Sequence, residues 1–256
     1  MTMDVLHLVV LAAAGLLGGI GITALGPGGV LPTIGLFLFS GLTPAGVAGT
    51  AIVTHVATGL LGTAAYARSG QLREADTRRC AAILAWIALV GAPLGVLLNT
   101  RVPSRGFGIL LASAVAVSGI LVWVRDARER RGDASAPGRV PAVRVAVVGL
   151  VVSVAAGLFG LGGPMLSVPL LVVSGMPVLA ALAAAQAQSI VIASVGTVAY
   201  VAHGSVDWAL AAVVGVPELA GVLIGWRIAH AVPAERLKYA LVASLLVLGP
   251  YLAWHA

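Results

Sequence analysis

The chain carries the stretch GPGGVLPTIGLFLFSGLTPAG at residues 26–46 and a second version of it, GLGGPMLSVPLLVVSGMPVLA, at residues 160–180. The match continues without a gap to residues 72 and 206, at a constant offset of 134, with 12 identities in 47 positions. Half of these identities are glycines, so the repeat preserves backbone geometry more than side-chain chemistry. A hydrophobic chain made of two such halves is typical of a transporter whose site lies at the repeat interface.

The composition indicates a helical membrane protein. Hydrophobic residues make up 60% of the chain, charged residues 9%, and the mean hydropathy is +1.07. No Lys, Arg, Asp or Glu occurs at residues 5–67 or 145–206, and each run has room for about three helices of ~20 residues. Open strands are excluded in lipid, and the alternation of a membrane barrel is absent. We therefore predict an all-α polytopic membrane protein.

Several other classes are disfavoured. The first apolar segment lacks a basic start and carries Asp4, so we do not expect a cleaved signal peptide. Cys80 is the only cysteine, which argues against a disulfide framework or a cysteine metal site. The net charge of +6 comes mainly from loop arginines, which we interpret as a topology signal and not as nucleic-acid binding. Motifs of hydrolases, zinc proteases and ATP-binding loops are absent, so we expect neither an enzyme nor a cofactor.

Glycine and proline divide each long run into three parts. The predicted parts are 5–25, 30–40 and 45–67 in the first half, and 141–159, 164–174 and 178–202 in the second. Two further helices follow in each half, at 80–99 and 106–124, then at 208–226 and 236–254. The total is about 8–10 membrane segments, depending on whether the short parts cross fully or are re-entrant. We divide the chain into a repeat at 1–124, a cytoplasmic linker at 125–140 and a repeat at 141–256.

The distribution of basic residues favours two repeats of inverted topology. Each half makes an odd number of net crossings, so the second half must be upside down relative to the first. With both termini outside, 13 of the 15 Lys and Arg residues lie inside, and Arg101 and Arg105 lie outside. An even number of crossings in each half gives a weaker split of 10 to 5. The positive-inside rule therefore supports inversion.

These motifs resemble those of the sulfite exporter TauE/SafE family of bacterial membrane transporters. The resemblance rests on the glycine clusters, on SGLTPAGVAGTA (40–51) and SGMPVLAALAAA (174–185), and on the Gly-Thr-x-Ala-Tyr sequences at 62–66 and 196–200. It implies a multi-pass protein of the bacterial inner membrane that transports sulfite, sulfoacetate or a related sulfonate by alternating access. Val30 and Pro164 replace the third glycine usual in the family. The exact substrate, the direction of transport and the coupling ion therefore stay open.

The glycine clusters are the first candidate site. Gly28, Gly29, Gly162 and Gly163 would let the backbone approach a ligand closely. If helices begin just after them, the helix N-termini supply partial positive charge, and an anion site needs no arginine. Close packing between helices is the alternative interpretation, because small residues are common at such contacts.

Polar residues in the helices after the second break are further candidates for lining the substrate path. They are Thr50, Thr54, His55, Gln186, Gln188 and Ser189. Polar side chains at membrane depth must face protein or water. Threonine can also bond its own backbone, and one of the glutamines could serve only to join helices.

Two ionisable residues are candidates for coupling transport to protons. His55 can titrate near neutral pH, and Glu218 is the only acid well inside a predicted helix. Each also has a structural alternative, as a hydrogen-bonding residue or as a partner for backbone freed by Pro217. Tyr66 and Tyr200 lie at matched helix ends, where we expect them to anchor the membrane interface.

The sequence thus predicts a secondary transporter whose partners are a small anion and the lipid bilayer, without nucleic acid, and it leaves a homodimer open. A proton- or cation-coupled carrier of another organic acid is the alternative. An intramembrane enzyme is a third hypothesis, which would require a nucleophile beside a base. A serine or threonine within hydrogen-bond reach of His55 or Glu218 is the feature that would keep it open.

Overall fold

The computed structural model describes residues 4–130, 139–233, 236, 239 and 243. All regular secondary structure in this part of the chain is helical. The main helices are α1 Val5–Ala24, α2 Val30–Phe39, α3 Pro44–Arg68, α4 Ala75–Asn99, α5 Ser104–Arg130, α6 Ala142–Phe159, α7 Pro164–Val173, α8 Val178–Ala202 and α9 Trp208–Ala231. Of these, α1, α3, α4, α6, α8 and α9 are long and apolar enough to cross a membrane. The all-α membrane class is confirmed.

The predicted division of both long runs into three parts is confirmed to within one residue at every boundary. Other helices are longer than predicted. Helix α4 begins at Ala75 instead of residue 80, α5 ends at Arg130 instead of 124, and α9 ends at Ala231 instead of 226. The predicted ends followed the nearest charges, but arginine and glutamate are good helix formers, so a helix continues past the lipid boundary into water. The predicted helix 236–254 lies largely outside the described residues.

The sequence repeat is also a repeat of structure. The bounds of α2 and α3, shifted by 134 residues, are the bounds of α7 and α8. The described residues with positive φ are six glycines, which form three pairs at the same offset: Gly26 and Gly160, Gly41 and Gly175, Gly70 and Gly204. Each follows a helix end, and at such a positive φ a side chain would be strained.

The matched tyrosines join α3 to the end of α1 and α8 to the end of α6. The Tyr66 hydroxyl donates to the carbonyl of Thr23 at 2.6 Å, and the Tyr200 hydroxyl donates to that of Gly157 at 2.8 Å. Both tyrosines are fully buried, so the prediction that they anchor the membrane interface is wrong. The reason is that Thr23 and Gly157 lie in the last turns of α1 and α6, where carbonyls have no partner within the helix.

The two halves exchange their first helices. Helix α1 packs parallel to α9, and its counterpart α6 packs parallel to α4. Glycines bring the backbones into direct contact: Gly19 lies against Glu218, Gly221 against Leu16, and Gly157 against Ala92. Contacts of this kind need small residues at the helix interface. The halves are therefore interleaved and do not form separate domains.

Helices α3 and α8 are repeat equivalents that run antiparallel. Ile52 contacts Gly196, while further along α3 Gly59 contacts Ile190 and Gly62 contacts Gln186. Antiparallel packing of equivalent helices is the arrangement that inverted repeats require. The orientation of the chain in the membrane stays a prediction, with the test described next.

Cysteine labelling tests the predicted orientation. In a Cys80→Ala background, Ala134→Cys should react with an impermeant thiol reagent only from the cytoplasmic side, and Thr100→Cys only from the outside. The physical reason is the 13-to-2 distribution of basic residues. Labelling of Ala134→Cys only from the outside in intact cells would show that the orientation is wrong.

The short helices form hairpins with the helices before them. Helix α2 has ten residues and spans about 15 Å, half of a hydrocarbon core of about 30 Å. It turns back along α1, with Pro32 against Gly18 and the rings of His7 and Phe39 5.9 Å apart. Helix α7 has the same length and the same place in the second half. Each of the two short helices is therefore the shorter arm of a hairpin.

Candidate functional site

Three buried polar residues lie at mid-height of the three helices that carry them. His55, Ser189 and Glu218 are each within two residues of the midpoints of α3, α8 and α9. All three side chains are fully buried. A helix of this length spans a membrane, so this level corresponds to the middle of the bilayer. Polar groups at this depth indicate function.

The tips of both hairpins reach this level and meet at His55. A methyl group placed on Gly29 would lie 3.3 Å from His55 Cε1, and one on Gly162 would lie 3.5 Å from His55 Cγ. The Gly162 methyl would also lie 3.0 Å from the Ser189 hydroxyl oxygen. Both methyl groups would touch Ile22 Cδ1, at 3.0 and 3.2 Å. The two glycine tips therefore converge on one imidazole ring.

The helix N-termini at these tips carry partial positive charge. Helices α2 and α7 begin just after Gly29 and Gly163, and neither has a side-chain cap. The first turns of both helices lie within the described residues and contain no acidic residue. The field of each N-terminus is therefore not compensated by a local side chain. Two such termini close together favour a bound anion.

An acidic side chain from α9 completes the cluster. His55 Nδ1 lies 3.2 Å from Glu218 Oε1, an ion-pair distance without the alignment of a hydrogen bond. The other carboxylate oxygen, Oε2, lies 2.6 Å from the Thr54 hydroxyl. The order of groups is therefore hydroxyl, carboxylate, imidazole.

Several polar atoms here have no hydrogen-bond partner among the described residues. They are Nδ1 and Nε2 of His55, Oε1 of Glu218, and the hydroxyl oxygens of Ser189 and Thr58. A buried polar atom left unpaired costs about 1–3 kcal/mol, and native proteins seldom leave several together. Those of His55 and Ser189 lie beside the glycine tips, which indicates a place built to receive a polar ligand.

A family model described as sulfite exporter TauE/SafE matches residues 11–252. The chain belongs to this family. It is 27% identical over 266 residues to a probable membrane transporter protein of Xylella fastidiosa, covering 99% of this chain and 98% of that one. It is 24% identical over 203 residues to the probable membrane transporter protein YdhB of Bacillus subtilis, covering 78% and 81%. No solved structure shows a significant match. Membership makes this chain a multi-pass membrane transporter.

In this TauE/SafE protein, other predicted site residues have structural partners. The Thr50 hydroxyl accepts the backbone N–H of Asp207 at 3.0 Å. The Gln186 side-chain amide donates to the Ile22 carbonyl at 3.1 Å. Gly28 lies against the backbone of Gly21, where no side chain fits. These three residues hold the hairpin tip and the start of α9 in place.

Gln188 bonds to polar side chains of its own half. Gln188, the repeat equivalent of Thr54, accepts from Ser167 and donates to Ser153 at 3.2 Å. Gly163 lies beside it, against the carbonyl of Ala185. The equivalent of Glu218 at the same offset is Leu84. The ionisable pair His55 and Glu218 therefore has no ionisable counterpart at the equivalent positions, which are Ser189 and Leu84.

Sequence reasoning found the members of the cluster but not their contact. Thr54 and Glu218 are 164 residues apart. The only available signal was that Glu218 and His55 both lie inside uncharged stretches. Ile22, which separates the two glycine tips, is one apolar residue among many, so no sequence signal could have identified it.

Proposed function

We propose that this protein is a secondary transporter of a small sulfur-containing anion, such as sulfite, sulfoacetate or another organosulfonate, in the bacterial plasma membrane. The observation that carries the proposal is the meeting of two uncapped helix N-termini at a buried imidazole at mid-height. The family description adds the substrate class. We assign anion binding to Gly29, Gly162, His55 and Ser189, with Gly163 at the start of α7.

The chemistry of these residues fits an oxyanion. A sulfonate or sulfite group presents three oxygens that accept hydrogen bonds. The Nε2–H of His55 and the hydroxyl of Ser189 can donate to two of them, and the helix N-termini stabilise the charge. Since sulfite and sulfonates differ mainly in the substituent on sulfur, Ile22 between the tips is suited to contact that substituent.

Alternating access follows from the pseudo-symmetry that we infer for the two repeats. Antiparallel α3 and α8 place the site between them, and the interleaved pairs α1–α9 and α4–α6 join on glycine contacts. Such smooth surfaces permit one bundle to rock against the other around a fixed site. The hairpin tips would then be reached from each side in turn.

An intramembrane enzyme is disfavoured by the order of the polar groups. A threonine does lie within hydrogen-bond reach of Glu218, so the discriminating feature is present. However, nucleophilic catalysis by a hydroxyl–imidazole pair requires the base beside the nucleophile and the carboxylate behind the base. Here the carboxylate lies between the Thr54 hydroxyl and the His55 ring, and the Ser189 hydroxyl makes no hydrogen bond to that ring. This arrangement suits binding and charge compensation better than attack.

Counterflow in liposomes tests the proposed function. Purified protein in vesicles loaded with unlabelled sulfite or sulfoacetate should accumulate the same radiolabelled anion, whereas zwitterionic taurine should compete poorly because its ammonium group meets the positive helix ends. Vesicles without protein provide the background. Counterflow of simple carboxylates but not of sulfur anions would favour the organic-acid alternative. Absence of counterflow for both classes would contradict an anion carrier.

A further inference from the structure

We propose that transport is coupled to one proton, which Glu218 binds and releases in each cycle with the Thr54 hydroxyl as a reversible hydrogen-bond partner. This inference rests on the proposed anion site and names its coupling ion. It is carried by the contacts around Thr54, by the charge of the site and by its asymmetry between the halves.

The Thr54 hydroxyl has two acceptors within reach but only one hydrogen. Its oxygen lies 2.9 Å from the carbonyl of Ala51 and 2.6 Å from Glu218 Oε2. A hydroxyl donates once and can accept as well. Both contacts are therefore hydrogen bonds only when Oε2 itself carries a proton.

The same geometry serves both protonation states of Glu218. With the carboxylate ionised, Thr54 donates its hydrogen to Oε2, and it makes no hydrogen bond to the Ala51 carbonyl. With Oε2 protonated, the acid donates to the Thr54 oxygen, and Thr54 donates to the Ala51 carbonyl. The change requires rotation of one hydroxyl hydrogen and no movement of heavy atoms. A proton taken up from one face thus forms the O–H bond at Oε2, and its release to the other face restores the carboxylate.

The charge of the site links this proton to the anion. An ionised Glu218 beside a neutral His55 carries one negative charge, and a bound anion would add a second in a buried place. A proton on the Glu218–His55 pair removes the first charge. Proton and anion therefore favour each other's binding, and the linkage is reciprocal.

The surroundings leave His55 as the ionisable neighbour of Glu218. The helices that pack extensively on α9 are α1 and α3. Their ionisable side chains are His7, His55, Tyr66 and Arg68, and α9 itself carries Arg227 and His230 more than two turns from Glu218. Among the ionisable side chains of the described residues, only that of His55 contacts the carboxylate. At the pseudo-symmetric positions, Leu84 of the first half corresponds to Glu218 and Gln188 of the second half corresponds to Thr54, so the proposed proton site occurs once in the repeat pair.

Net uptake and exchange, measured side by side, test the coupling. Liposomes containing a trapped pH indicator are given sulfoacetate, with sulfite in parallel. The wild type should couple anion flux to a change in internal pH. Glu218→Gln should lower proton-driven net uptake by about tenfold or more, while counterflow changes little. A change of this size lies within the range typical of coupling between two binding sites. The glutamine amide N–H can donate to Thr54 as the protonated acid does, so the site keeps its shape.

Thr54 supplies the second pair of variants. Thr54→Val removes the hydroxyl at constant shape and should slow net uptake by about tenfold, since it removes a hydrogen bond to a charged group. Thr54→Ser should restore it. Thr63→Val is the matched control, because that hydroxyl lies on the same helix and has no hydrogen-bond partner among the described residues.

The outcomes separate the two proposals. Absence of counterflow in the wild type overturns the anion carrier itself. If the wild type shows counterflow but its net uptake does not depend on the pH gradient, only the proton coupling is overturned. Equal loss of uptake and exchange in both Glu218→Gln and Thr54→Val, or loss of neither, also overturns the coupling. Loss of net uptake alone, with rescue by Thr54→Ser, supports it.

Discussion

Gly162→Leu is expected to reduce anion affinity by about 100-fold, the equivalent of losing two hydrogen bonds to a charged ligand. Even the first carbon of a side chain there would lie 3.0 Å from the Ser189 hydroxyl and 3.5 Å from the His55 ring. The rest of the leucine would occupy the space in which we place the anion. Gly29→Leu should act in the same way from the other hairpin, because its first carbon would lie 3.3 Å from His55.

Substitutions of increasing size at Gly162 test this expectation. Gly162→Ala should have a smaller effect than Gly162→Leu, since neither Gly29 nor Gly162 has the positive φ that resists any side chain. Gly106→Leu is the matched control: its first carbon would meet neighbours only at ordinary distances of 3.4 Å or more. Affinity is measured by thermal shift and counterflow, with the elution profile in detergent reporting folding. Normal affinity in a well-folded Gly162→Leu protein would contradict the assignment of the site.

His55→Leu is expected to lower the free energy of unfolding by about 3–5 kcal/mol and to abolish transport. The change leaves the fully buried Glu218 carboxylate without its basic partner, and an uncompensated buried charge is strongly destabilising. The double variant His55→Leu with Glu218→Leu should recover most of the stability, because an apolar pair can replace a buried ion pair at little cost. Thr54 would then donate to the Ala51 carbonyl, which lies 2.9 Å away.

In the double variant, stability should therefore recover while transport stays abolished. Unfolding is followed in detergent for the wild type, the two single variants and the double variant, and transport by counterflow. The interaction energy of the two sites comes from the difference between the double variant and the sum of the singles. If the double variant recovers transport together with stability, then His55 serves only the fold, and the anion site must lie elsewhere.

The sequence by itself determined the membrane class, the internal repeat and the helix boundaries inside the two charge-free runs. Charge-free runs can only be buried in lipid or protein, and glycine and proline stop helices by local backbone sterics, so both signals are readable without contacts. The inverted arrangement stays a prediction from charge counting, and the antiparallel packing of α3 and α8 agrees with it. Helix ends beyond the lipid were missed because charges mark the membrane boundary and not the end of the helix.

Only the tertiary structure decided which polar residues act together. Thr50, Thr54, Gln186 and Gln188 look alike as polar residues in apolar helices, yet Thr50 and the glutamines serve neighbouring elements while Thr54 meets Glu218. Tyr66 and Tyr200 were misjudged for the same reason, since burial depends on which free carbonyl a hairpin brings near. The physical reason is that local sequence sets backbone propensity. Pairing between residues 164 positions apart depends instead on how the two halves interleave, and that is fixed by packing of the whole chain.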